Sequence, residues 1–254
     1  MKILASKREY PTLQEYLDTG NFDLNQRGIL AKAFAAGMSP KKVAVLANPE
    51  FDARQMIEIY SGFVNYNLSI SDVLLYANPE FDYRQMGLLK DFISNSTLSR
   101  ADFIRVANPA YSISEMWAIY SASISGISEE DMDTYIDIIT NFPGLDDSRA
   151  LVILSGFTDG LSLDQIMLYA TPMFGTQQMY QILSGFAEDN FSYDQVKLYA
   201  NSKYPHYLMR AIRGAMRKGA TVEELSEIVQ PDRPSILIEG DLSDRWGVEV
   251  WTDL

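Results

Sequence analysis

Seven carboxylates crowd into one short stretch of this chain: Glu129, Glu130, Asp131, Asp133, Asp137, Asp146 and Asp147. Oxygen ligands at such density could hold a divalent cation or draw in a basic partner. A calcium site wraps its ligands round a loop with a glycine turn. Here Ser128 followed by Asp131 instead starts a helix, and acidic side chains are favoured in a first helical turn by the positive end of the backbone dipole. No metal site or cofactor site is therefore read from the cluster. It reads as an acidic partner-binding surface, continued by Asp159, Glu188 and Asp189. The whole chain carries −13, and residues 101 to 200, with three basic and fourteen acidic side chains, hold −11 of it. Charge distributed this way bears on partners and not on fold.

One segment has the opposite sign. No acid lies between Asp194 and Glu223, whereas Lys203, Arg210, Arg213, Arg217 and Lys218 do. The three arginines share one helix face at i, i+3 and i+7, which makes a second candidate binding surface. An acidic partner, or the acidic middle of another copy of this chain, suits it better than nucleic acid, because the net charge opposes a phosphate backbone. The single histidine, His206, has no evident acid–base partner, and cysteine is absent. The phosphate-binding, dinucleotide, serine-elbow and zinc-helix motifs all lack their minimal residues. A non-enzymatic protein is expected.

The elements that must carry these charges are set by internal repetition. Ala47-Asn48-Pro49-Glu50-Phe51-Asp52-Ala53-Arg54-Gln55-Met56 returns thirty residues later as Ala77-Asn78-Pro79-Glu80-Phe81-Asp82-Tyr83-Arg84-Gln85-Met86, and again, altered, as Ala107 to Met116. Repetition at this period signals stacked units, each burying its apolar face on the next. An anchor residue continues the count: Phe22, Phe51, Phe81, Tyr111, Leu145, Phe174 and Tyr204, spaced by 29, 30, 30, 34, 29 and 30 residues.

Each unit contains two helix starts. The first is a Ser or Thr with a side chain three residues on that can reach back: Thr12 with Glu15, Ser69 with Asp72, Ser99 with Asp102, Ser128 with Asp131, Ser162 with Gln165, Ser192 with Gln195 and Thr221 with Glu224. Ser39 precedes Pro40 at the first helical position. The short helix ends before Asn-Pro, since proline pushes its predecessor out of the α region. A second start follows at Asp52, Asp82 or Ser112, with apolar residues at helical spacing after it. Met56, Met86, Met116, Met179 and Met209 take core positions, while Tyr83, Tyr193 and Tyr207 vary enough between units to be exposed contacts. The long gap predicts a longer helix after Ser128. Twelve residues after the anchor lies a site usually apolar and most often Phe, and just before it a small residue, Ala33, Gly62, Ala122, Gly156, Gly185 or Ala215, which predicts close helix approach. Phe92 breaks this rule and predicts wider local spacing.

The expected architecture is an all-α solenoid of about seven helix-turn-helix repeats over residues 1–229, closed by a last helix from Thr221 to Val229, and an acidic appendage over residues 230–254. The runs Ser235 to Glu239 and Gly247 to Trp251 alternate as strands do and predict a small β-hairpin, a disordered tail being the alternative. The first thirteen residues are mixed and charged, unlike a signal peptide, and no apolar run approaches a membrane span. A cytoplasmic protein without membrane contact is expected.

The block Tyr76-Ala77-Asn78-Pro79-Glu80-Phe81-Asp82-Tyr83-Arg84-Gln85-Met86 resembles a helical repeat of about thirty residues found in tandem in proteins of phages and conjugative elements of Gram-positive bacteria. The likeness spans roughly residues 12 to 229. It implies a mobile-element setting and an interaction role, and that family offers no catalytic residues. Together with the acidic middle it leads to an expected inhibitor of a bacterial defence nuclease, of the anti-CRISPR or anti-restriction kind, covering the basic nucleic-acid-binding surface of such an effector. The alternative is a scaffold or adaptor, self-associating between its acidic middle and basic end as a homo-oligomer.

Overall fold

The computed structural model describes residues 11–95 and 98–249, with the side chain of Thr19 left aside. Among the described residues every regular element is a helix. They alternate short and long except at α9, which is about as long as its neighbours: α1 (Leu13–Thr19), α2 (Leu24–Ala35), α3 (Pro40–Leu46), α4 (Ala53–Val64), α5 (Ile70–Val73), α6 (Tyr83–Ser94), α7 (Arg100–Val106), α8 (Ile113–Ser125), α9 (Glu129–Thr140), α10 (Asp147–Thr158), α11 (Leu163–Tyr169), α12 (Thr176–Ala187), α13 (Tyr193–Tyr199), α14 (His206–Arg217), α15 (Val222–Ile228) and α16 (Ser235–Trp246). None of them is long and apolar enough to cross a membrane. The chain forms two compact units, Met1–Met116 and Trp117–Leu254. In the first, α2 packs on α4 and α4 on α6, with α3 on α5. In the second, α10, α12, α14 and α16 pack successively, with α13 on α15.

The caps form as the spacing predicts. Reciprocal side-chain and backbone bonds close the starts of α1, α4, α5, α6, α11, α13 and α15. Ser39 makes no side-chain cap bond, and Pro40 sits at the start of α3. The repeated methionines Met56, Met86, Met116, Met179 and Met209 are fully buried. The long gap lengthens the first helix of its pair, α9 having 12 residues where α7 and α11 have 7.

Two recurring joins connect one pair to the next. The first uses a glutamine that closes the second-helix cap at α2, α4, α6 and α12, a position that α14 and α16 fill with Leu208 and Leu237. Gln55 Oε1 accepts from the Asp52 N–H at 2.6 Å, while Gln55 Nε2 donates to Phe81 O at 2.5 Å and Pro79 O at 3.0 Å. Gln26 reaches Phe51 O and Pro49 O in the same way, Gln85 reaches Tyr111 O and Pro109 O, and Gln178 reaches Tyr204 O and Ser202 O. One amide thus caps its own helix with the oxygen and clips the next anchor turn with the nitrogen. Glutamate could do only the first. At the two positions flanking the long gap the residue is Glu115, which has no donor, and Arg149, which turns back to Gly144 O at 3.1 Å.

The second join explains the small residues. A Cβ added to Gly62, Gly156 or Gly185 would collide with the hydroxyl of Tyr76, Tyr169 or Tyr199, the tyrosine at the end of the next short helix. Each hydroxyl donates to a carbonyl one turn before the glycine: Tyr76 to Glu58 O at 3.3 Å, Tyr169 to Val152 O at 3.4 Å and Tyr199 to Gln181 O at 3.3 Å. The glycines therefore admit a phenol, not a neighbouring backbone. At Phe92 the register position that holds a tyrosine opposite the glycines is Val106, and both are buried; α7 packs less closely on α6 than α3, α5, α11 and α13 do on the long helices before them, as the expected wider spacing requires. Ala33 is matched by Leu46 and Ala215 by Ile228, a trade of size, whereas Ala122 is matched by Tyr135, whose hydroxyl donates instead to Ala150 O.

The C-terminal hairpin is also corrected. Residues 235–246 form α16, which packs on α14 as the second helix of an eighth pair where seven and a closing helix were expected. Ile238 and Leu242, four apart, are fully buried, and that spacing decides over the alternation of Ile236 and Ile238. Gly247 ends the helix with φ +62°, donating its N–H to Ser243 O, and Val248 then lies 3.3 Å from where a Gly214 Cβ would stand. The far end of the predicted second strand, residues 250 and 251, lies outside the described residues.

Candidate functional site

The acidic surface is organised by α9. Ser128 accepts from the Asp131 N–H at 3.1 Å and donates its hydroxyl to Asp131 Oδ2 at 2.7 Å, so Asp131 is partly committed to the helix start. Glu129 and Glu130 share that first turn, where the helix dipole favours negative charge. Met132, Tyr135 and Ile139 face inward, with the Tyr135 hydroxyl donating to Ala150 O at 3.1 Å. Burial pushes the Tyr135 phenol well above its ordinary range. The opposite side presents Glu130, Asp133 and Asp137 at i, i+3 and i+7, all exposed. None of these three makes an ion pair among the described residues, and the Asp137 carboxylate accepts from the Asn141 side chain at 3.1 Å.

Beyond the turn the roles divide. Asp146 accepts from the Arg149 N–H at 2.9 Å and lies 3.7 Å from the Arg149 guanidinium, so it is a cap with an attached ion pair. Asp147 is exposed and rims a groove of about 190 Å³ shared with Trp117, Ser121 and Leu151. Trp117 is 43% exposed and meets Tyr120 edge-on at 5.6 Å. Asp159 caps the C-terminal end of α10 and is exposed.

The remaining residues of the two expected surfaces close on each other. Arg213, 4% exposed, donates from Nε to Asp189 Oδ2 and from Nη1 to Gln181 Oε1, both at 2.8 Å, and lies 3.4 Å from Glu188. Arg217 Nε donates to Asp189 Oδ1 at 2.5 Å. The Asp189 side chain is only 5% exposed. Asp189 and Arg213 are thus corrected from surface residues to a buried pair tying α14 to the end of α12. A buried charge persists only when paired and hydrogen-bonded, and this one is met on both sides. The same register position in the first unit holds Lys90, buried, bonded to Glu58 at 2.5 Å and lying over the Tyr66 ring at 4.8 Å. Lys203 pairs with Asp232 at 3.0 Å, with both side chains exposed, and Lys218 donates to Gly247 O at 2.6 Å. Arg210 is exposed.

Chemistry beyond charge is sparse among the described residues. No group of three or more His, Cys, Asp or Glu side chains is arranged to hold a metal ion. His206 opens α14, its ring 6.0 Å from that of Tyr207. Tyr193 is 39% exposed, and Tyr83 and Tyr207 are half-buried. The Arg54 and Arg84 guanidinium groups lie 5.0 and 5.6 Å from the Tyr83 ring. What the arrangement offers is an open carboxylate stripe on α9, with Asp147 exposed on the rim of the α8–α10 groove, and a separate, neutralised cluster on α12 and α14. No protein-family model, no curated protein and no solved structure matches this sequence.

Proposed function

We propose that this chain is a helical solenoid that works without catalysis, by binding a basic protein through exposed carboxylates, chiefly the stripe on α9. Within that class the partner is a nucleic-acid-handling effector such as a CRISPR or restriction nuclease, and the mode is occlusion: carboxylates take the lysines and arginines that otherwise hold phosphates. The observation that carries the reading is the set Glu130, Asp133, Asp137 and Asp147, exposed and without ion pairs among the described residues, at the one place where the repeat departs from its period. Insertions in repeat arrays concentrate on binding faces. Long helices packing on long and short on short support the solenoid. The resemblance to repeats of mobile-element proteins supports the setting.

Self-assembly between an acidic middle and a basic end is the weaker reading, because Arg213 and Arg217 already neutralise Asp189 within the chain. The test is a gel-shift panel of purified CRISPR and restriction effectors on DNA, with and without this protein. Release of DNA from one effector, lost in the Glu130→Gln, Asp133→Asn, Asp137→Asn, Asp147→Asn variant with unchanged helicity, is the expected result. Equal inhibition by that variant refutes the carboxylate mechanism, and inertness across the panel moves the assignment to a scaffold.

A further inference from the structure

A groove of about 330 Å³ in the second unit lies between α9 and α11. Its apolar lining includes Ile138, Phe142, Leu163, Met167 and Pro172. Leu163 and Met167 are one helical turn apart on α11, and each is about half exposed, at 50% and 49%. The α9 wall comes from its second half, Thr134 to Asn141, in the helix that the insertion lengthens. Asp137 stands on the rim, and it is the last member of the exposed series Glu130, Asp133 and Asp137. An apolar trough therefore runs directly into a line of carboxylates with helical spacing.

We infer that this groove receives an amphipathic basic helix of the partner, an assignment that rests on the acidic-face reading above and deepens it. Apolar residues at i, i+3 or i+4, and i+7 of the incoming helix fill the space against Ile138, Leu163 and Met167, as helix-in-groove recognition requires. The unbranched methionine suits a surface that adapts to the incoming side chains. Lysines or arginines on the flank of the same helix meet Asp137, Asp133 and Glu130 along α9. Charge complementarity selects this occupant: an acidic or neutral helix would leave three carboxylates facing like charge or bare apolar surface. The volume lies at the lower end of the range for side-chain and ligand pockets, enough for anchors from one helix face and not for a folded domain.

The test uses the full chain and three fluorescent peptides of equal length, read by anisotropy at low and moderate salt. One is a Leu/Lys amphipathic helix, one its sequence-scrambled isomer of identical charge, and one the same helix with Glu for every Lys. The expected result is binding of the first at least tenfold tighter than the second, no binding of the third, and at least a tenfold loss in Met167→Lys and in Leu163→Lys. Both substitutions lie at exposed positions, so circular dichroism of the variants should match the parent. Equal binding of the scrambled basic peptide overturns the groove while leaving the acidic face standing. Failure of both basic peptides, or equal binding of the acidic one, overturns both.

Discussion

Alanine is ordinarily the better helix former, so replacing Gly185 inside α12 should stabilise the protein by about 1 kcal/mol on propensity alone. The structure reverses the sign. A Cβ at Gly185 would fall inside the contact radius of the Tyr199 hydroxyl, 3.1 Å from its Cζ and 3.2 Å from Val196 Cγ2. Tyr199 is fully buried and its hydroxyl is bonded to Gln181 O at 3.3 Å, so the ring cannot simply swing into solvent. Overpacking of this kind costs about 1–3 kcal/mol, and loss of the hydroxyl bond about 1 kcal/mol more. Set against the propensity gain, Gly185→Ala should destabilise by about 1–3 kcal/mol. Tyr199→Phe alone should cost about 1 kcal/mol. In the double variant the obstructing oxygen is gone and only a few tenths of an ångström of ring movement are needed, so most of the Gly185→Ala penalty should disappear. Urea unfolding of the four proteins, followed by circular dichroism, gives the coupling energy directly. A stabilised Gly185→Ala protein, or single effects that add within about 0.5 kcal/mol, would refute the claim that glycine is there to admit the phenol.

Other consequences can be measured alongside. Gln55→Glu keeps the cap on Asp52 but turns a carboxylate toward Phe81 O and Pro79 O, so it should cost about 2–4 kcal/mol at neutral pH; the proximity raises that carboxyl in the folded state, so the penalty should shrink as pH falls through the carboxylate range. Asp189→Ala leaves Arg213 buried without its main partner and should destabilise by about 3–5 kcal/mol, visible as a lowered urea midpoint. Burial raises the phenols of Tyr76, Tyr135, Tyr169 and Tyr199 above their ordinary value. The unfolded chain therefore releases these protons first, and stability, complete below about pH 10, should fall above it by up to about 1.4 kcal/mol per pH unit for each tyrosine that ionises only on unfolding. An alkaline unfolding midpoint unchanged between the parent and Tyr169→Phe would count against that account.

The features legible in the sequence are those set by neighbours within one turn. Capping residues at Ser69, Ser162 or Asp82 and the buried methionines follow from local spacing, and the longer α9 follows from the gap in the anchor series. The joins between pairs were not legible, because they connect residues about 14 or 25 positions apart whose local roles already looked complete. Gln55 reads as a cap, and only its being glutamine where glutamate would cap equally well hints at a second task. Gly185 and Tyr199 each recur, but their pairing emerges only when Phe92 and Val106 are seen to change together. The C-terminal helix was hidden by the alternation of Ile236 and Ile238, though Ile238 and Leu242 had the right separation. In the candidate site the exposed line on α9 was readable as an acidic helix face. Arg213 was misassigned because i, i+3, i+7 spacing defines a face without saying what covers it, and the repeat register it shares with Lys90 was the available sign that something does.

The glutamine clip has a consequence at the level of the gene. Its acceptors are main-chain carbonyls of the anchor turn, which forms with Pro79 or Pro109 and equally with Ser202 in that place, so the bond is made to backbone and not to the side chains of the following pair. A junction indifferent to its neighbour's identity can survive the in-frame loss, gain or exchange of a whole pair. Such a chain is free to vary in length wherever the clip is kept, whereas around α9, where Glu115 and Arg149 replace the glutamine, the seams do without it.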